Sequence, residues 1–175
     1  MNTKNIERYL DSFGKYVVKQ SRTNLTKGKK NVNKSLYNSI SFKVEPSADG
    51  FSVEFYMNSY GTFVDKGVSG NKKRQTYRDY KGKTIVSPYK YTNKQPPSGI
   101  MDKWVVKKGI APRDEKGRFI TRKSISFLIA RSIKARGIKS TSFFQRPLEL
   151  GLKTFSSDFL EAIREDIIEG LTTVK

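Results

Sequence analysis

Residues 56–70, Tyr-Met-Asn-Ser-Tyr-Gly-Thr-Phe-Val-Asp-Lys-Gly-Val-Ser-Gly, set the tightest local constraint on this chain. They read as the end of a strand (Phe55, Tyr56), a polar cap at Asn58 or Ser59, and one or two helical turns carrying Tyr60, Phe63 and Val64. Gly67 is the expected stop, because glycine reaches the left-handed conformation without steric cost. The stretch holds no reactive constellation, so its expected role is architectural: it packs a corner and turns the chain outward at Gly67.

What surrounds this corner is bounded by composition. The 175 residues suit one domain, 1–175, with an elaborated loop. A hydrophobic share of 35% and a mean hydropathy of −0.63 are low for a self-sufficient core. Part of the chain is therefore expected to be solvated or covered by a partner. Cysteine and histidine are both absent. Disulfides, thiolate chemistry, the commonest general base and every Ser-His-Asp or Cys-His arrangement are thereby excluded. No apolar run approaches the ~20 residues of a membrane span, and the first residues lack the apolar core of a signal peptide. A soluble, cytosolic chain with no membrane partner is expected.

The formal net charge of +19 is unevenly spread. Residues 1–60 hold 10 Lys/Arg against 5 Asp/Glu, residues 61–140 hold 21 against 5, and residues 141–175 hold 4 against 6. The basic middle suits a polyanion: nucleic acid, an acidic protein surface, or both.

Ile6, Tyr9, Leu10, Phe13, Tyr16 and Val17 recur at helical steps, predicting an amphipathic helix from Lys4 to Leu25 with Lys15, Lys19 and Arg22 on its wet side. Thr26-Lys27-Gly28-Lys29-Lys30-Asn31 ends it as a solvated linker, with Gly28 as the stop. Leu36–Val44 and Gly50–Met57 are expected to pair as a hairpin, with Phe51, Val53 and Phe55 alternating against Ser52, Glu54 and Tyr56. Pro46-Ser47-Ala48-Asp49-Gly50 supplies the turn.

From Asn71 to Pro97 periodicity dissolves, and this stretch is expected to be an extended basic arm. Lys72, Lys73, Arg74, Tyr77, Arg78, Tyr80, Lys81 and Lys83 are its candidate contacts for a partner or for nucleic acid. Tyrosines stack on bases while lysines neutralise phosphates, but packing on a neighbouring subunit is the preferred reading, since no ordered nucleic-acid motif frames these residues. Thr84-Ile85-Val86 is a candidate short strand. Pro96-Pro97 closes the arm.

Ser98 is the expected cap of a short helix with Ile100, Met101, Trp104 and Val105 on one face and Gly109 at its end. Pro112 to Arg118 reads as a charged loop turning at Lys116-Gly117. A further helix from Thr121 or Ser124 to Arg136 would turn Ile125, Leu128, Ile129 and Ile133 inward and end at Gly137. Ser140–Phe144 is expected to be extended. Arg146-Pro147 opens the last helix, with proline at its first position. That helix carries an apolar stripe, Leu148, Leu152, Phe155, Phe159, Ile163, Ile167 and Leu171, beside an acidic flank of Asp158, Glu161, Glu165, Asp166 and Glu169. The stripe is core by default.

No catalytic grouping emerges. Asp114-Glu115 and Glu165-Asp166 lack further ligands for a metal, and no phosphate-binding glycine loop occurs. Asp65, Asp79 and Asp102 have no spacing that joins them into a nuclease cluster. No enzyme activity, cofactor or metal is expected.

The order of elements resembles the tail-completion and neck proteins of tailed bacteriophages. It runs from the first helix through Leu36-Tyr37-Asn38-Ser39-Ile40 and Phe51–Phe55 to Tyr60-Gly61-Thr62-Phe63-Val64-Asp65-Lys66-Gly67. That family follows its hairpin with Tyr-Ala-x-Phi-Val-Glu-x-Gly-Thr, Phi being aromatic or aliphatic. Tyr60, Gly61, Phe63, Val64, Asp65 and Gly67 occupy those positions, with Gly61 for the usual alanine, Asp65 for glutamate and Val68 for threonine. Trp104–Gly109, Phe127–Ile133 and Gly137-Ile138 look like the family's middle helices. Ser142-Phe143-Phe144-Gln145-Arg146-Pro147 looks like its Pro-Phe-x-x-Pro lead into the final helix.

The resemblance implies a homo-oligomeric ring of six- or twelvefold symmetry at the head–tail junction. It would dock to portal, connector or tail proteins, with no catalytic role, its basic segment presented either to DNA in transient contact or to an acidic neighbour in the stack. Its setting would be the virion neck, after assembly in the host cytoplasm. The expectation is an α+β protein: an N-terminal helix, a small antiparallel sheet with a β-hairpin, short helices, a long C-terminal helix and an extended basic arm at 71–97. Tyr60, Phe63, Val64 and Gly67 form its structural corner, and Phe143, Phe144 and Pro147 fix the start of its last helix. The alternative is a sequence-nonspecific nucleic-acid-binding protein using the basic 71–140 segment.

Overall fold

A computed structural model describes residues 3–29, 33–47 and 50–173. Lys30 and Asn31 of the expected linker, and Ala48 and Asp49 of the expected turn, lie outside the described residues. The chain is α+β, with helices dominating and three two-stranded sheets among the described residues. It divides into two compact units. Unit 1 is Met1–Gly61, Arg78–Lys83 and Phe143–Lys175; unit 2 is Thr62–Tyr77 and Thr84–Ser142. Residues 71–97, expected as an arm on a single domain, contribute to both.

Unit 1 is organised by α1 (Lys4–Lys27) packed on α6 (Gln145–Thr173). The periodicity of α1 is realised: Ile6, Leu10, Phe13, Val17, Val18 and Leu25 are buried. Phe13 meets Phe155 edge-on at 5.0 Å between centroids, and Phe155 stacks on Phe159 at 5.4 Å. Such offset and edge-on pairs add to the stabilisation from burial alone. Gly28 ends α1 as expected, in a right-handed rather than a left-handed conformation.

The expected first strand is divided. Ser35–Ser39 form a short helix, α2, and only Ser41–Ser47 are extended as β1. The reason lies far away in sequence. Arg22 Nε donates to the Tyr37 carbonyl at 3.1 Å and Nη2 to that of Ile40 at 2.8 Å, satisfying the carbonyls that end the helical turn. Arg22 is therefore half-buried structure rather than a wet-side cation. β1 pairs antiparallel with β2 (Gly50–Tyr56), from Ser41 opposite Tyr56 to Ser47 opposite Gly50. Phe42 and Phe55, opposite one another, lie 6.3 Å apart, and Phe55 meets Phe144 at 5.4 Å.

The tip segment, residues 78–83, is a tight turn on Asp79. Its Oδ1 accepts the N–H groups of Lys81 at 3.0 Å and Lys83 at 2.7 Å, and Tyr80 N donates to the Gln145 side chain at 3.0 Å.

α6 starts at Gln145, so Pro147 occupies the third helical position, still within the turn whose N–H groups have no intrahelical acceptor. Phe143 and Phe144 form a turn ahead of it, where an extended run was expected, and Ser142 takes φ +46°.

Unit 2 centres on Ser69. α3 (Gly61–Lys66) leads into β3 (Val68–Ser69), which pairs antiparallel with β6 (Gly137–Ile138). Ser69 N donates to the Tyr89 carbonyl and its own carbonyl accepts Tyr91 N, both at 2.8 Å, while Gln75 N donates to Ser69 Oγ at 3.0 Å. β4 (Thr76–Arg78) and β5 (Thr84–Val86) form a hairpin whose connecting turn falls in unit 1.

α4 (Ser98–Lys107) packs on α5 (Arg122–Arg136). Ser98 is the first helical residue and Pro97 the cap, so the expected serine cap is not made. Thr121 does cap α5, accepting Ser124 N. Val105, Ser126 and Ala130 are the buried residues of this pair, whereas Ile100, Trp104 and Leu128 are exposed. Leu128, expected to face inward, lies on the outer side because small side chains at 126 and 130 form the contact. The loop from Pro112 to Arg118 turns as expected, with Asp114 Oδ1 accepting Lys116 N at 2.9 Å and Arg118 N at 2.8 Å.

Candidate functional site

The corner at 56–70 runs from strand to short helix as expected, with α3 ending at Lys66 and Gly67 at φ +72°, but Tyr60 lies in the turn before α3 and the Asn58 side chain donates to Ser35. A Cβ at Gly67 would stand 2.7 Å from the Ile138 carbonyl oxygen, so both conformation and space select glycine. The expected packing residues differ. Tyr60 and Phe63 are each 41% exposed and Val64 is half-buried. Gly61 takes the inward place: a Cβ there would stand 2.6 Å from Met57 Sδ and 2.9 Å from Leu36 Cδ1. Close approach of backbone, rather than an aromatic plug, closes that side of the corner. Phe63 instead meets Tyr89 edge-on at 4.5 Å.

At the start of α6, Phe143 and Pro147 are fully buried and Phe144 is half-buried.

The basic candidates fall into two groups. Lys72, Lys73, Arg74 and Tyr77 belong to unit 2, and Arg78, Tyr80, Lys81 and Lys83 to unit 1. All the lysines and both arginines are exposed. Tyr77 is half-buried with Lys66 Nζ 5.8 Å from its ring, and Lys81 Nζ lies 5.6 Å from the Tyr80 ring.

Arg78 has a different commitment from its neighbours. Nε and Nη2 donate to the two carboxylate oxygens of Glu149 at 2.9 and 2.8 Å, a bidentate fork. Arg78 holds the Glu149 carboxyl below its ordinary range by that hydrogen bonding, which outweighs the opposing effect of burial. The guanidinium is thus occupied within the fold. Arg78, expected as a contact for a partner or for nucleic acid, instead finds its acceptor 71 residues away within the same chain, where no local pattern signals it.

Asp166, read as part of an exposed acidic flank, is buried. Its carboxylate accepts Asn5 N at 2.9 Å and Ile6 N at 3.0 Å, capping the first turn of α1. Burial pushes this carboxyl up, but the backbone and side-chain hydrogen bonds from Asn5 and Ile6, with Arg8 nearby, hold it below its ordinary value.

The stripe on α6 is only partly core. Phe155, Phe159 and Ala162 face α1, while Leu152, Leu160, Ile167 and Leu171 are exposed, Leu160 at 64% and Leu171 at 73%. Leu152, Leu160, Ile163, Ile167 and Leu171 follow steps that keep one helical face. Within α6, 6 acidic residues outnumber 3 basic ones. On α5, Phe127 and Leu128 are exposed beside Lys123 and Arg131. Unit 2 as a whole carries 18 Lys/Arg against 4 Asp/Glu, compared with 17 against 12 in unit 1.

Among the described residues no group of three or more Asp, Glu, His or Cys could hold a metal ion, and no helix is long and apolar enough to cross a membrane.

Comparison with protein-family models, curated proteins and solved structures found no match.

Proposed function

We propose that this chain is a structural assembly protein that forms a homo-oligomeric ring at the head–tail junction of a tailed phage. In this reading it docks there to connector or tail proteins. The observation that carries the assembly reading is the pair of exposed apolar helix faces. The α6 face (Leu160, Ile167, Leu171) has Arg164 beside it and Glu161 and Glu165 beyond, on a helix with an acidic excess; the α5 face (Phe127, Leu128) is flanked by Lys123 and Arg131.

Exposed apolar side chains grouped along two helices support an interaction surface. The occupant proposed for each face is the complementary face of a second copy. Two different patches meeting between copies make a heterologous contact, which closes into a ring when the rotation permits. The resemblance of the ordered motifs to those of neck and tail-completion proteins suggests the setting. Light scattering with negative-stain microscopy is the test. Annular particles support the reading; a monomer at all concentrations, with or without a connector, overturns it.

A second reading, nonspecific nucleic-acid binding, is favoured by the excess of basic residues in unit 2. It expects duplex affinity that falls steeply with salt from a chain that stays monomeric.

A further inference from the structure

α4 and α5 begin at one place. Ser98 and Gly99 at the start of α4, Arg122 and Lys123 at the start of α5, and Asp102 and Ser126 line a single open cleft of about 510 Å³. Each helix start leaves N–H groups without intrahelical acceptors and carries the positive end of the helix dipole. Here the two ends converge: that of α5 is capped by Thr121, which also lines the cleft, and the side chains of Arg122 and Lys123 add positive charge. α4 has no side-chain cap, since its cap residue is Pro97.

An independent observation points the same way. Ser126 is 1% exposed, and its Oγ has no hydrogen-bond partner among the described residues. Buried hydroxyls are ordinarily paired, so an unpaired one in a cleft wall calls for an incoming acceptor. Space is also present: a Cβ built on Gly99 meets nothing within 4 Å. The carboxylate in the wall, Asp102, lies 3.7 Å from Arg122 Nε, beyond hydrogen-bond length.

We propose that this cleft binds a phosphate group, held by the Arg122 fork, the Lys123 charge, the leading amides of α4 and the Ser126 hydroxyl. Donors arriving from two helices and a guanidinium suit a tetrahedral oxyanion, and helix starts are established phosphate cradles. Asp102 competes with the phosphate for Arg122 and so limits affinity. The phosphate is either free or part of a nucleic-acid backbone; the chemistry of the cleft is common to both. The site shares only Lys123, on the rim of the α5 face, with the surface proposed for assembly, and none of the substitutions below touches that residue or either apolar face, so its failure and the failure of the ring reading are separate results.

The test is calorimetric titration of the full chain with inorganic phosphate at low salt. Arg122→Ala is expected to weaken binding about tenfold or more, the scale of a charge-assisted hydrogen bond, and Ser126→Ala a few-fold. Asp102→Asn is expected to tighten it. Gly99→Leu is expected to abolish binding while the thermal midpoint holds or rises, because leucine is the better helix former. Replacing Lys72 and Lys73 by Gln, outside the cleft, is expected to change affinity less than about twofold. Displacement of bound phosphate by a short duplex assigns the site to backbone phosphate, and binding without displacement assigns it to a free phosphate group. No phosphate binding by the wild-type chain, or equal binding by the Arg122, Asp102 and Gly99 variants, overturns the proposal.

Discussion

The Asp166 carboxylate accepts the backbone N–H of Asn5 at 2.9 Å, across 161 positions of sequence. A side chain on the last helix thus does for the first helix what a local Ser or Asp does at an ordinary N-terminus. Asp166→Ala leaves two amides of a buried helix start unsatisfied and is expected to cost about 1–3 kcal/mol in urea unfolding. Because the folded carboxyl is held below its ordinary value, its contribution is present above the unfolded pKa. It is lost as pH falls through the folded value. The variant should therefore show a flatter loss of stability on acidification than the parent chain.

Gly137 begins β6 at φ +79°, and a Cβ there would lie 2.0 Å from the Val68 carbonyl oxygen. Gly137→Ala meets both backbone strain and a collision with main chain that cannot swing aside. A destabilisation well above about 1 kcal/mol is expected, since alanine is incompatible with that conformation. Hydrogen exchange should localise the loss to the amides around Val68–Gly70. Normal protection there in the variant would contradict the close approach of the two strands.

The Arg78–Glu149 fork gives a prediction of a different kind. Removing the guanidinium by Arg78→Ala should return the Glu149 carboxyl upward toward the ordinary range, read by NMR titration. Arg78→Lys should recover only part of the depression, because an ammonium cannot make the planar two-bond contact. The depressed value also means that the fork supports the fold at neutral pH and is lost as pH drops through the folded pKa of Glu149.

For assembly, charge placed on each apolar face separates head-to-tail from self-complementary contact. Leu160→Glu with Ile167→Glu disables the α6 face; Phe127→Asp disables the α5 face. Each variant alone should remain small with unchanged helicity by circular dichroism. An equimolar mixture should give dimers and nothing larger, because only one intact pair of faces remains between unlike chains. Rings formed by either single variant would refute these faces as the contact.

Much of the fold was legible where the signal is local. The stripe on α1, the alternation of β2, Thr121 before α5 and the stops at Gly67 and Gly137 all lie within a few residues of what they specify. Errors occur where a distant partner decides. Leu36–Ser39 reads as strand until Arg22 supplies donors to the Tyr37 and Ile40 carbonyls. Asp166 reads as solvent-facing until its amides are found at the other end of the chain. The inward side of α5 is centred on Ser126 and Ala130, a fraction of a turn from the expected one, because small side chains do not announce a core as Leu128 does. Ser126 itself carried no sequence signal; only its burial without a partner distinguishes it.

The division of the chain has a consequence for synthesis. Unit 1 includes the first residues, a short segment in the middle, and everything from Phe143 onward. Unit 2 lies wholly between those ends, and chains emerge from the ribosome in order. The later-numbered unit is therefore the one that can mature first. α1 can meet the β1–β2 hairpin early, but the side that packs on α6 and the amides of Asn5 and Ile6 stay open to whatever holds the nascent chain until α6 has been made. Any interruption of translation inside α6 leaves behind a finished basic unit tethered to an unfinished one.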